Sequence, residues 1–293
     1  MKVLITGATG FVGSRLVKYL VNHHKPYEIS ILVRKNSSLE QLEEVRNELD
    51  IFEYSGEIHD LIDFLTKANP EIVIHVASCF ISEHKEDQVD QLIDSNIKFP
   101  TQLLEAMSKC SIKKFINTGT SWEYFESDEY NPVNLYASTK HAFEQISQYY
   151  SEVHGTRFIH LKLFDTFGQG DPRKKIVALL KRISETGETL DMSPGEQEIN
   201  LVHIDDVCEA YGKAIDLIGK SSYKQQTYGI STDEIIPLKE FVELYSSVNE
   251  VNLDINWGGK PYRTREVLKL WRSYDRLPDW TPKVSLKEGL KGL

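Results

Sequence analysis

The chain has 293 residues, 40% hydrophobic and 27% charged, with a formal net charge of −10. That length buries a substantial core and suits one large α/β domain, or a large domain with a smaller partner. The composition is that of a soluble globular protein, and the negative charge disfavours nonspecific binding to nucleic acid or anionic membrane.

Lys2–Thr6 reads as a strand, and no signal-peptide n-region, h-region or cleavage site is expected before it. It runs directly into Gly7-Ala8-Thr9-Gly10-Phe11-Val12-Gly13. Glycine allows the positive φ and close backbone approach that a pyrophosphate needs. The helix start behind it offers free N–H groups and the positive end of a dipole. The spacing is G-x-x-G-x-x-G rather than G-x-G-x-x-G. Its place between a strand and an amphipathic helix, with Val12, Leu16 and Leu20 on one face, is the context that marks a dinucleotide site.

Further strands are expected at 28–33, 51–54, 72–76, 114–118 and 158–163. They are continuous apolar runs, as in parallel sheets covered on both faces. The second ends in Arg34-Lys35, about 20 residues beyond Gly13. An acid there would hold the ribose 2′-OH of NAD, whereas a cation accommodates the 2′-phosphate of NADP. The pair favours NADP(H), with NAD(H) as the alternative. Two solvated loop charges are the plainer reading. Helices are expected from Asn96 through Met107 and from Tyr136 to about residue 153, so the alternation is that of a doubly wound α/β sheet.

Tyr136 and Lys140, at i and i+4, share one face of the second of these helices. An ammonium beside a phenol favours the phenolate and lowers its pKa from about 10. Tyr136 is then suited to general acid/base work. Beyond residue 163 the rhythm weakens. Asp171-Pro172-Arg173 and Ser193-Pro194-Gly195 read as loops, and Asp205-Asp206 as a helix start. Residues 1–164 are expected to form the sheet domain, with a segment near 201–220 returning to it. Residues 165–293 would form a smaller, interwoven lobe. Cys79, Cys110 and Cys208 form no CxxC, so neither a disulfide scaffold nor a zinc site is expected and a reducing cytoplasm is the default. No apolar run approaches the ~20 residues of a membrane helix. His75, His141 and His203 lack metal-ligand spacing and read as structural.

The glycine triplet, His75-Val76-Ala77, Asn96, Asn117-Thr118-Gly119-Thr120, the Tyr136/Lys140 pair, His203-Ile204-Asp205-Asp206 and Pro261-Tyr262-Arg263 follow one another in a familiar order. The chain resembles, over essentially its whole length, an extended short-chain dehydrogenase/reductase of the nucleotide-sugar epimerase/dehydratase type. The resemblance implies a Rossmann doubly wound parallel sheet with a smaller, interwoven C-terminal substrate-binding lobe. It assigns Thr120, Tyr136 and Lys140 to catalysis. Gly7, Thr9, Gly10, Phe11, Val12, Gly13, Arg34, Lys35, Glu57, Ile58, Ala77 and Asn96 would join Tyr136 and Lys140 around the dinucleotide. Thr120, Ser121, Asp165, Arg173, Lys174 and Arg263 would meet a nucleoside-diphosphate sugar. A homodimer through the helices after Asn96 and after Tyr136 is also implied, with no nucleic acid, membrane or metal.

Departures from the family pattern narrow the reaction. Dehydratases resemble Thr-Asp-Glu at the strand end, where this chain has Thr120-Ser121-Trp122. The epimerase/reductases that make fucose carry a Cys in that motif, and NAD-retaining epimerases usually carry an acid where Arg34 stands. What remains resembles the 4-ketoreductases of deoxysugar pathways, the CDP-abequose and CDP-paratose synthases among them. A 4-epimerase that keeps NAD, and a non-catalytic NADP-binding regulator, are the alternatives. Two positions unsettle the phosphate site: Ile199 stands for a usual Arg, and Asp165 for a usual Asn. Arg173, Lys174 and Lys175, or Arg265, are candidates to compensate.

Overall fold

A computed structural model describes residues 1–220 and 222–293. In chain order the first half is β1 (Lys2–Thr6), α1 (Phe11–Val21), β2 (Glu28–Arg34), β3 (Leu49–Tyr54), α2 (Ile58–Ala68), β4 (Ile72–His75), α3 (Val89–Ile93), α4 (Phe99–Lys109), β5 (Lys114–Thr120), α5 (Leu135–His154) and β6 (Arg157–Leu163). The second half is β7 (Asp165–Phe167), α6 (Ile176–Thr186), β8 (Leu190–Met192), β9 (Glu198–Ile199), β10 (Leu201–His203), α7 (Ile204–Lys220), β11 (Gln225–Ile230), β12 (Ile236–Pro237), α8 (Leu238–Asn249), β13 (Ile255–Trp257) and α9 (Leu286–Gly289).

Seven strands form one parallel sheet in the order β11-β6-β5-β4-β1-β2-β3. Successive side chains of β1 serve opposite faces. Val3 and Ile5 join Leu16 and Leu20 of α1 and Tyr211 and Ile215 of α7. Leu4 instead joins Leu61 and Leu65 of α2, Met107 of α4 and Phe143 of α5. Both faces are apolar because both are covered by helices. The order reverses between β1 and β4, and ligands of doubly wound sheets bind at such a switch point.

The helix expected from Asn96 to Met107 begins earlier. α3 passes into α4 through a π-helical turn, Asp94–Lys98, which carries Asn96. Single π turns inside helices often accompany functional sites. α5 starts where Asn134 Oδ1 accepts the Ala137 N–H at 3.0 Å and ends at Gly155 in the left-handed region. Tyr136 thereby falls in its first turn, with Lys140 one turn later.

The seventh strand corrects the six-strand expectation. β11 pairs with β6 from Gln225↔Phe158 to Ile230↔Leu163. Only its last three residues are buried, so the polar Gln225-Gln226-Thr227 gives no apolar run to recognise. The return to the sheet therefore extends through α7 and β11 to Ile230. The remaining elements gather around a separate apolar cluster that includes Phe167, Leu180, Leu201, Phe241 and Tyr245.

Asp206, in the first turn of α7, is buried and works as an anchor. Its carboxylate accepts the backbone N–H groups of Lys283 and Val284 at 2.9 and 3.0 Å, and its carbonyl accepts Trp280 Nε1–H at 3.0 Å. Asp206→Ala would leave two N–H groups without their acceptor, each costing about 1–3 kcal/mol. We expect urea unfolding of that variant to show a loss of about that size.

Candidate active site

A cleft of about 820 Å³ opens over the C-terminal ends of β1, β2, β4, β5 and β6. The glycine turn forms one end. Gly7 has φ +72°, and a Cβ there would lie 2.4 Å from Ala77 N. A Cβ on Gly13 would lie 2.1 Å from Gly7 O. Those two glycines are demanded by packing of the turn against α1 and the end of β4. Gly10 differs. Its φ and ψ, −84° and 171°, suit any residue, and an added Cβ would meet only Gly7 O at 3.5 Å. As N-cap of α1 it has no capping side chain, so the first N–H groups of the helix stay available. A bare backbone that the protein does not itself require, at a helix N-terminus, fits the pyrophosphate of a dinucleotide.

Thr9, Phe11, Val12, Arg34 and Ala77 line this cleft as expected. Lys35, Glu57 and Ile58 are not on its wall. Lys35 and Glu57 are exposed, and Glu57 serves as N-cap of α2. Asn96 is not on the wall either. It is fully buried, accepts the Cys79 N–H at 2.8 Å and donates to Cys79 O and Thr139 Oγ1 at 2.9 Å each. It thereby fixes the loop after β4 against α5. Tyr54 is a wall residue that pattern reasoning missed; its hydroxyl donates to Gln102 Oε1 at 2.5 Å.

At the other end, Thr120 closes β5 and Tyr136 faces it from α5. The hydroxyls of Ser78 and Thr120 share the cleft with the Tyr136 phenol and act on it. Ser78 was not foreseen, since nothing in the run Ala77-Ser78-Cys79 distinguishes it from a turn serine. Phe80 packs its ring edge against Tyr136 at 4.9 Å and lies 5.6 Å from Trp122, giving an aromatic wall beside the phenol. Cys79 borders the cleft, and burial raises its thiol.

The expected lowering of the Tyr136 pKa is corrected by the structure. Burial pushes it up to about 12, outweighing the Ser78 and Thr120 hydroxyls, while Glu123 and Asp165 push in the same direction as burial. Lys140 is 1% exposed, and its Nζ has no hydrogen-bond partner among the described residues. Burial lowers Lys140 to about 8, against the pull of Glu123. An unpartnered buried ammonium one turn from the phenol fits a ribose hydroxyl as its missing acceptor.

A second cavity of about 450 Å³ shares Phe80, Ser121, Trp122 and Asp165 with the first. Three of its cations carry their own anions. Lys175 Nζ donates to Asp165 at 2.7 Å. Arg173 Nη2 donates to Asp171 at 2.6 Å and to Thr166 O at 2.8 Å, with its guanidinium 4.7 Å from the Phe11 ring. Arg263 pairs with Glu266 at 2.8 Å, over Trp122. Desolvation would raise Asp165, but Lys175, with Arg173 and Arg263, outweighs it and the net shift is downward. The acid at this unusual position is thus neutralised within the protein. Lys174 is exposed and lines neither cavity, and Arg265 turns instead to Asn131 and the Phe125 ring.

Glu123, His141 and Glu144 place one ligand atom each within 4.8 Å of one another. That space already holds a cation: Lys162 Nζ lies 2.6 Å from Glu123 Oε2 and also bonds Glu144. His75 bonds Thr6 Oγ1 at 2.8 Å, and His203 Nδ1 accepts the Asp205 N–H at 3.3 Å, both structural contacts. No helix among the described residues is long and apolar enough to cross a membrane.

Comparison with known proteins agrees with this geometry. The NAD dependent epimerase/dehydratase family matches residues 3–226. CDP-abequose synthase of Yersinia pseudotuberculosis is 31% identical over 269 residues, covering 92% of this chain and 91% of that protein. CDP-abequose synthase of Salmonella muenchen is 26% identical over 99% of this chain and 96% of its own length. The Thermotoga maritima UDP-glucose 4-epimerase, solved with UDP-glucose, superimposes with a TM-score of 0.84 at 22% identity, covering 99% of this chain and 96% of that one. A Bacillus cereus UDP-glucuronic acid 4-epimerase, solved with UDP-glucuronic acid and NAD, gives 0.84 at 21% over the same shares. At such identities the two structures speak for the fold. Glycine turn, Tyr136/Lys140 pair, seven-stranded sheet and family match agree, and the chain is an oxidoreductase of the NAD dependent epimerase/dehydratase family.

Proposed function

We propose that this protein uses NADPH to reduce the 4-keto group of a nucleoside-diphosphate 4-keto-6-deoxyhexose or 3,6-dideoxyhexose. The observation that carries the reading is the Tyr136 phenol in one cleft with Thr120 and Ser78, with no free carboxylate at the strand end. Water elimination needs an acid and a base there. The two positions after Thr120 are Ser121 and Trp122; the next carboxyl along the chain, Glu123, is fully buried on Lys162, and Asp165 on the cleft wall is paired with Lys175. The similarity to CDP-abequose synthases supports the same substrate class.

The bound dinucleotide supplies a hydride. Tyr136 gives its proton to the carbonyl oxygen as negative charge develops on it. Thr120 donates a second hydrogen bond to that oxygen. Lys140 holds the ribose beside Tyr136, and Gly7, Gly10 and Gly13 leave room for the pyrophosphate. Arg263, Arg173 and Lys175 receive the substrate diphosphate by exchanging it for their carboxylate partners. Residues 1–164 with α7 and β11 serve the cofactor, and the remainder serves the sugar nucleotide. A homodimer through α4 and α5 agrees with the exposure of Tyr149 and Val153 on α5, at 56% and 59%.

A panel of CDP-, dTDP-, UDP- and GDP-4-keto-6-deoxy sugars tests the reading by absorbance loss of NADPH against NADH. Rapid NADPH oxidation with one of them is expected. No oxidation with any, together with copurified NAD, would transfer the assignment to a 4-epimerase that shares the Tyr/Lys pair. Arg34 lies at the cleft edge without a carboxylate of the ribose-binding kind beside it. Arg34→Ala is expected to reduce the preference for NADPH over NADH by about tenfold, equivalent to about 1.4 kcal/mol. Dissociation constants for both dinucleotides, measured by fluorescence, check this.

A further inference from the structure

Behind Thr120 lies a buried charge pair with no part in the chemistry described so far. Glu123 and Lys162 are both 0% exposed. Glu123 Oε1 accepts the Thr120 N–H at 3.3 Å, while Oε2 accepts from Lys162 Nζ at 2.6 Å and faces His141 Nδ1 at 3.1 Å. The lysine stem crosses β5 at Gly119, its partner in the β5–β6 register. A Cβ on Gly119 would lie 2.7 Å from Lys162 Cδ, so the strand is left bare where the lysine passes. Burying two ions costs more than packing two apolar side chains of similar volume. A fold that needed only filling would not require them.

We propose that the Lys162–Glu123 pair positions the active site: it fixes the Thr120 main chain and holds an anion behind Lys140. The proposal rests on the reading that Thr120, Tyr136 and Lys140 form the reacting centre. Three charged groups act on Lys140: Glu123 from the turn after β5, Lys162 from β6 and Glu144 from α5. Lys140 in turn acts on His75 and His160, and burial keeps both below the usual histidine range. Around Lys162 stand Glu123, Glu144, His160 and the Tyr124 ring, the last at 5.9 Å. Glu123 pulls Lys140 up and Lys162 pushes it down. Each is a positioning residue that never meets substrate.

The opposed signs make the test specific. NADPH affinity is measured against pH by nicotinamide fluorescence, where loss of the Lys140 proton weakens the ribose contact. Glu123→Gln keeps an oxygen for the Thr120 N–H but removes the anion, and should move the midpoint down by about 1 pH unit. Lys162→Met removes the opposing cation and should move it up. Near neutral pH both should bind NADPH within about twofold of the wild type, while Glu123→Gln loses about tenfold in kcat. Damage to packing alone would not shift the midpoint in opposite directions. If only one variant folds, the sign of its shift decides. Unmoved midpoints, or failure of both variants to fold, would overturn the proposal in favour of a purely structural pair. Absence of ketosugar turnover in the wild type would count against the proposed reaction and leave this titration standing.

Discussion

Tyr136→Phe is expected to lower kcat by about 10³-fold, the typical contribution of a positioned general acid. NADPH affinity should stay within about twofold, because a phenyl ring keeps the packing against Phe80 and loses only the hydroxyl beside Ser78 and Thr120. Single-turnover measurements with saturating NADPH separate the two effects. The pH dependence should carry the same imprint. A phenol held at about 12 stays protonated across the working range, so it remains a proton donor. Lys140, held at about 8 by burial, loses its charge first. The alkaline limb of kcat should therefore belong to the lysine: activity is full below about 8 and declines above it. Near-normal turnover in Tyr136→Phe would remove the tyrosine from the reaction.

The glycine turn gives the second large effect, and the two ends of the motif should respond differently. Gly10→Ala places a methyl group where the protein offers only an ordinary contact at 3.5 Å. Its stability should match the wild type, while dinucleotide affinity falls at least about tenfold. Gly13→Ala forces a methyl group onto Gly7 O at 2.1 Å. That overpacking should cost about 1–3 kcal/mol of stability or more, before any ligand is added. Denaturation midpoints and dinucleotide binding, measured on both variants, separate a glycine kept for the fold from one kept for the ligand. Loss of stability in Gly10→Ala with intact binding would invert the account.

The parts of this molecule that the sequence exposes are those with a strong local pattern. Six of the seven sheet strands carry enough contiguous apolar residues to announce themselves. The turn from Gly7 to Gly13 and the Tyr136/Lys140 spacing are contiguous enough to be read in one pass. β11 escaped because it is an edge strand whose first three residues are polar and only partly buried. Ser78 and Phe80 escaped because their place in the cleft depends on how the loop after β4 comes back to it, and Tyr54 because it ends the edge strand β3. The bonds of Asn96 were equally hidden: a polar residue in a familiar position ties down the backbone of Cys79. Charge bookkeeping was the least legible. Nothing in the one-dimensional order shows that Lys175 neutralises Asp165, or that burial is the main influence on the Tyr136 phenol.

The most direct measurement follows the hydride itself. The protein is incubated with NADPH deuterated on the transferable C4 position and with each 4-keto sugar nucleotide, and the product is read by NMR. The account predicts that the deuterium appears at sugar C4, with one equivalent of NADPH consumed. A sugar inverted at C4 without deuterium, and with NADPH untouched, would contradict it and assign the site to an epimerase that recycles its own dinucleotide.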